Sequence, residues 1–139
     1  MNTVVDTSVW SLSLRRKPED LSPTERIIVE ELANLISEGR VYLLGLVRQE
    51  VLSGIRTGAQ FARLRSFLRA FQDLEISIED YESAAQASNQ CQAKGITVSV
   101  VDALICAVAL NHDWAIFTTD NDFKLFTKIL SVKLHSPRR

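Results

Sequence analysis

Five acidic residues stand at the ends of apolar runs: Asp6 in VVDTSVW, Glu50 in VRQEVLSG, Asp102 in VVDALICAVA, and Asp120 and Asp122 in FTTDNDF. Carboxylates are costly to crowd, because like charges at short range disfavour each other's ionised forms. A fold that brings these five to one place usually does so around a divalent cation, and hard oxygen ligands suit Mg²⁺ or Mn²⁺. The pattern makes the chain a candidate metal-dependent phosphodiester hydrolase. It also asks for a fold with several strand ends and helix starts along one edge.

The segments between these acids supply that fold. Thr3-Val4-Val5 reads as a short buried strand, followed by N-cap residue types and a helix over Val9 to Leu14. Ser22-Pro23-Thr24-Glu25 starts a helix with a capping-box pair, Ile28, Leu32, Leu35 and Ile36 share its face, and Gly39 stops it. Val41 to Leu44 is a second strand, broken by Gly45 ahead of a helix over Val47 to Leu52. Phe61, Leu64, Leu68 and Phe71 form another helical stripe, and Leu74-Glu75-Ile76 is expected as a third strand. Ser77 and Asp80 then precede a helix over Tyr81 to Lys94, closed by Gly95. Ser99 and Asp102 repeat the cap before the most apolar helix, Val100 to Leu110. Ala115 to Phe117 is expected as a fourth strand, Phe123 to Thr127 as a short helix and Leu130 to Leu134 as a last strand. Short apolar strands alternating with helices predict a single α/β domain over residues 1–139, a three-layer α/β/α sandwich around a short, mainly parallel sheet.

Composition excludes other classes. The apolar fraction of 46% and charged fraction of 24% are ordinary for a globular domain. No apolar run approaches the roughly 20 residues that span a bilayer, and the N-terminus shows no signal peptide. Cys91 and Cys106 match no zinc spacing and read as buried free thiols, which points to the cytoplasm. Net charge is −1, from 16 Lys+Arg against 17 Asp+Glu, so no basic excess advertises a polyanion. The distribution says more. Arg56, Arg63, Arg65 and Arg69 lie in an acid-free segment, Arg15-Arg16-Lys17 form a second cluster, and Pro137-Arg138-Arg139 ends the chain. Basic segments around an acidic centre can hold a polyanion while the molecule stays near neutral.

In open parallel sheets, ligands sit beyond the carboxyl ends of the strands. Asp6 and Asp120 each follow a strand, while Glu50 and Asp102 are expected in first turns of helices. Singly, each acid has a plainer explanation: Asp6 as a helix cap, Asp102 as the third residue of a capping box, Glu50 as a solvated helix residue, Asp120 and Asp122 as turn residues. The recurrence of one placement at four points favours a shared site. His112 and His135 are isolated, Trp10 and Trp114 suit core anchors, and no GxSxG, HExxH, P-loop or GxGxxG occurs. A receiver-like module binding Mg²⁺ would want paired acids after the first strand and a late lysine, which are missing. A haloacid-dehalogenase-type phosphatase would want an acid where Ser8 stands.

VVDTSVW, QEVLSG, VDALICAVA and TTDNDF, taken in order, resemble the PIN domain, and most closely VapC-type ribonuclease toxins of bacterial toxin–antitoxin pairs. The resemblance implies that Asp6, Glu50, Asp102 and Asp120 form an acidic quartet gathering Mg²⁺ or Mn²⁺. Asp122 falls at a position that is acidic in part of the family, and Ser8 and Thr119 at small hydroxyl positions beside the acids. It further implies RNA as substrate, a VapB-like antitoxin as protein partner, and a homodimer. A PIN-type RNA-processing nuclease outside any toxin–antitoxin pair is the neighbouring alternative.

Overall fold

The computed structural model describes residues 1–138; Arg139, the last residue of the C-terminal basic run, lies outside the described residues. Among the described residues four parallel strands form one sheet in the order β2-β1-β3-β4, with β1 Thr3–Val5, β2 Val41–Tyr42, β3 Ala115–Phe117 and β4 Lys133–Leu134. Every residue of β1 and β3 is buried, as expected for parallel strands covered on both faces. Val5 lies opposite Phe117, and the Asp6 N–H donates to the Phe117 carbonyl at 2.9 Å, carrying the ladder one step past β1. The chain moves from β1 to β2 on one side, whereas β3 and β4 build outward on the other. The strand order therefore reverses between β1 and β3, the place where such sheets open a ligand crevice.

Among the described residues seven α-helices accompany the sheet: α1 Thr7–Leu14, α2 Pro23–Ser37, α3 Gly45–Leu52, α4 Gly58–Leu68, α5 Ile78–Ala93, α6 Val100–His112 and α7 Asp122–Phe126. Complete capping boxes start α2 (Ser22, Glu25) and α5 (Ser77, Asp80), satisfying two otherwise orphaned amides each. The box at Ser77 starts α5 at Ile78, three residues ahead of the expected Tyr81. Ala103 to Ala109 are buried without interruption, so α6 is the central helix, packed against α5, β1 and β3. Cys91 and Cys106 are buried free thiols. Among the described residues no helix is long and apolar enough to cross a membrane.

Three expected strands differ, the first being Val41 to Leu44, which is cut to Val41–Tyr42. Leu74 to Ile76 does not form one: the segment makes a single bridge, Leu43 to Asp73, with the Leu74 N–H donating to the Leu43 carbonyl at 3.0 Å. Its would-be partner β2 ends at Tyr42 because α3 begins at Gly45, so little extended edge remains to pair with. Gly45 is needed there, since a Cβ would stand 3.1 Å from the Asp73 carboxylate. Arg48 fixes the segment instead, donating to Asp73 at 2.8 Å and to the Phe71 carbonyl at 2.7 Å. The last strand is confined to Lys133–Leu134, because the turn closing α7 holds the Leu130 N–H against the Phe126 carbonyl at 2.7 Å.

Trp10 of α1 is fully buried, edge-on to Phe71 with ring centroids 5.3 Å apart. Its Nε1 is the one buried side-chain polar atom without a partner among the described residues. Trp114 is half-buried, stacked between Tyr42 and His112. His135, isolated in sequence, meets a buried acid: Glu31 of α2 is 3% exposed and lies 2.5 Å from His135 Nε2 and 3.1 Å from Arg138 Nε. Arg138 also reaches Glu38 at 2.7 Å, and Glu38 accepts from Arg40 at 2.8 Å. Burial alone would raise the Glu31 pKa, but the bonds from His135 and Arg138 outweigh it and hold the carboxyl below its usual range. These pairs pin the tail after β4 onto α2.

A lowered folded-state pKa contributes stability above the unfolded value of 4.5 and loses it as pH falls through the folded value. Replacing His135 and Arg138 together by Ala strands the Glu31 carboxylate in a buried site. Urea unfolding at pH 7 is expected to show a loss of about 3 kcal/mol, the scale of breaking a buried ion pair. The gap should narrow as pH falls from 4.5 through the lower folded-state value, where Glu31 becomes protonated in wild type as well; a gap unchanged at low pH would contradict the ionic account.

Candidate active site

The site is built from the sheet outward. Asp6 follows β1 in extended conformation, caps α1 and is only 5% exposed. All the protein hydrogen bonds of its carboxylate fall on Oδ2, which accepts from Ser8 Oγ at 2.8 Å, Thr118 Oγ1 at 2.8 Å and the Ser8 amide at 3.4 Å. Each hydroxyl has one proton. With both protons directed at Asp6, the 3.3 Å approach of Ser8 Oγ to Thr118 Oγ1 brings two acceptors together. Those acceptors are in turn occupied: Ser8 Oγ takes the Thr119 amide at 3.0 Å, and Thr118 Oγ1 takes the Asp120 amide at 3.0 Å. This network fixes the Asp6 carboxylate and leaves Oδ1 without a protein donor among the described residues.

Asp120 follows β3 by three residues, and its Oδ1 accepts from the Asp122 amide at 2.9 Å. Glu50 extends from α3 and accepts from Thr7 Oγ1 at 2.6 Å, which ties α3 to the first turn of α1. Because α3 begins at Gly45 rather than Val47, Glu50 stands in its second turn, not the expected first. Asp102 is the third residue of α6. Its amide donates to Ser99 Oγ at 3.0 Å, but the reciprocal bond of a full capping box is not made, leaving the carboxylate for other work.

Electrostatics records the convergence. Burial, then the charges of Asp6 and Asp120, and more weakly Glu50, push the Asp102 carboxyl up to about 6, against a smaller lowering by Ser99. The charges of three carboxylates from three other segments thus reach Asp102. Asp122, the first residue of α7, is exposed and is not among the groups raising Asp102. Thr119 differs from expectation: it is exposed and offers Ser8 its amide, while the hydroxyl on Asp6 belongs to Thr118. The register Val5 to Phe117 places Thr118 beside Asp6, a signal that strand pairing would have supplied. The exposed Thr7 bond to Glu50 had no signal in the sequence.

Among the described residues, no group of three or more His, Cys, Asp or Glu side chains is gathered tightly enough to hold a metal ion as it stands. The donor chemistry fits a hard divalent cation: oxygen throughout, with Asp6 Oδ1 open to a ligand. Two openings flank the acids. Ser8, Thr118 and Asp120 line a cleft of about 760 Å³, and Thr7 and Glu50 line a groove of about 390 Å³. Arg56, Arg63, Arg65 and Arg69 are exposed around α4 and line neither; Arg65 lies over the Phe61 ring, 5.8 Å from its centroid.

The raised Asp102 pKa has a thermodynamic consequence. The folded state holds this proton more tightly than the unfolded state, so the group costs stability as pH rises from about 4 to 6, with the full cost above that. Asp102→Asn is expected to be more stable than wild type in EDTA at pH 7.5, on the order of 1 kcal/mol after allowance for solvent screening. The advantage should vanish near pH 4. A variant less stable than wild type at pH 7.5 would show that the acids do not strain one another.

A family model for the PIN domain matches residues 3–129. The chain is similar to ribonuclease VapC11 of Mycobacterium tuberculosis, with 27% identity and 97% of this chain and 98% of the relative covered. Among solved structures it resembles VapBC2 from Rickettsia felis, bound to a DNA fragment from its promoter, with TM-score 0.76, 16% identity, and 97% and 98% of the two chains covered. It also resembles VapBC-5 of Mycobacterium tuberculosis, a member of the VapBC family of toxin–antitoxin systems, with TM-score 0.67, 21% identity, and 96% of each chain covered. At these identities the solved structures establish the fold, and the family follows from the matched span: the chain belongs to the PIN domain family.

Proposed function

We propose that this protein is a metal-dependent endoribonuclease that hydrolyses RNA phosphodiester bonds and serves as the toxin of a toxin–antitoxin pair. The observation carrying this reading is the linkage at the carboxyl edge of the sheet: Thr118 joins Asp6 to Asp120, Thr7 next to Asp6 holds Glu50, and the charges of all three reach the Asp102 carboxyl. Family membership sets aside the receiver-like and phosphatase alternatives. A similar protein named as a ribonuclease, and similar folds solved as VapBC complexes, support RNA as substrate and a VapB-like antitoxin as partner.

The chemistry follows from what the residues can and cannot supply. No His or Lys lies among the groups that contact Asp6 or shift Asp102, and Cys106, which the charges of Asp102 and Asp6 reach, has its thiol pushed up to about 12 chiefly by burial, so proton abstraction and charge relief need another agent. A divalent cation supplies a Lewis acid for phosphoryl oxygens and a source of hydroxide near neutral pH. Asp6 and Asp120 would be its central ligands, Glu50 and Asp102 would complete the set directly or through water, and Asp122 would contribute at the periphery. Mg²⁺ or Mn²⁺ suits oxygen donors of this kind. Ser8 and Thr118 keep the Asp6 carboxylate oriented, and Thr7 does the same for Glu50. We place the protein in the cytoplasm, as a homodimer, and a PIN-type RNA-processing role outside a toxin–antitoxin pair is the remaining alternative.

Asp6→Asn keeps an acceptor for Ser8 and Thr118, so it should fold. Digestion of total RNA with Mg²⁺ is expected to fall by on the order of 100-fold or more, the scale of losing one transition-state charge contact, and EDTA should abolish wild-type cutting. Full activity of folded Asp6→Asn would remove the residue from the site. In a separate measurement, Mg²⁺ or Mn²⁺ should raise the wild-type melting temperature, because a ligand of the folded state stabilises it. That rise should disappear in Asp6→Asn; no rise with either cation in the wild type would sink the metal.

A further inference from the structure

The cleft beside Asp120 runs between α1, the start of α2 and α7, and its walls are mixed in charge, with Glu25 the one acid besides Asp120. Leu12, Ile28 and Leu134 make the apolar part, while Arg15, Arg16 and Lys124 bring three cations. Arg16 is neutralised by Glu25 at 3.0 Å. Arg15 and Lys124 are exposed, and among the described residues neither side chain has an ion pair or hydrogen bond. Arg15 extends from the end of α1 toward the loop after α3, with Nη2 3.7 Å from where a Cβ on Gly54 would stand.

The two openings beside the acids are therefore unlike. The groove on the Glu50 side is lined by Thr7, Gln49, Glu50 and uncharged neighbours, with no cation. The cleft on the Asp120 side has two cations with no protein counter-charge and an apolar wall. Its volume, about 760 Å³, falls among pockets that take small ligands. A ligand that alternates a single negative charge with a flat, weakly polar body matches this wall better than an acidic peptide, whose charges sit on short flexible side chains. We propose that this cleft seats the RNA nucleotide next to the cleaved bond, with Arg15 and Lys124 holding phosphates and Leu12, Ile28 and Leu134 facing the base. The proposal rests on the ribonuclease reading above and adds which side of the acids the strand occupies.

Binding of a fluorescent single-stranded RNA octamer to Asp6→Asn protein in EDTA, measured across salt concentration, tests this without cleavage. Each phosphate contact on a single strand contributes about 0.7 to the slope of log K against log salt. Adding Arg15→Gln and Lys124→Gln together should lower that slope by about 1.4 and weaken binding roughly tenfold at low salt. Lys94→Gln with Lys128→Gln removes the same charge outside the cleft and should leave the slope near its starting value. In otherwise wild-type protein with Mg²⁺, the Arg15 and Lys124 pair of substitutions should raise KM with kcat little changed. Both side chains are exposed and unbonded, so an unchanged melting temperature is expected to verify the fold. An unchanged slope, or an equal fall in the Lys94 and Lys128 control, overturns the proposal. An acidic hexapeptide that displaces the octamer with the same dependence on Arg15 and Lys124 would make the cleft a peptide groove and overturn it as well. Lack of RNA cleavage by wild type would instead overturn the ribonuclease reading, a separate result from the slope.

Discussion

The pairing of β1 with β3 is the contact on which the site depends. With Val5 opposite Phe117, the next residue on each strand is polar, so Asp6 and Thr118 emerge side by side where the sheet stops. A slip of one residue would turn side chains to the opposite face. Burial of all six strand residues forbids that slip, because it would exchange core and polar positions. The precision of the site is thus inherited from the hydrophobic core, not from the polar residues themselves.

Holding negative charge at that edge carries a cost, and the fold meets it unevenly. Asp6, the most buried of the quartet, receives two hydroxyl donors and an amide. Asp102 has no comparable donors and takes the strain as a raised pKa. Glu50 stays at the surface with one donor.

The near-neutral total conceals a division of labour among the cations. Arg16, Arg40, Arg48, Lys133 and Arg138 are engaged in ion pairs that hold helices, loops and the C-terminal tail in place. Arg15 and Lys124 are left over beside the acids, and the α4 arginines are left over elsewhere. Membership of a basic cluster in sequence therefore says little about role. Arg15 and Arg16 are adjacent, yet one closes a structural pair and the other faces an open cleft.

Local chemistry was enough to determine the helices and strands that matter. Capping boxes at Ser22 and Ser77, the apolar run of α6 and the buried triplets of β1 and β3 depend on neighbours within a few residues, and so could be read directly. The four acids were visible for the same reason, since each ends a local apolar pattern. What sequence could not decide was anything requiring a distant partner: that Leu74 to Ile76 lacks an edge to pair with, that Thr118 and not Thr119 turns its hydroxyl to Asp6, that Thr7 holds Glu50, or that His135 meets Glu31 across 104 positions. Those contacts exist only after the core has set strand register and helix docking, because residues far apart in the chain have no local preference for one another.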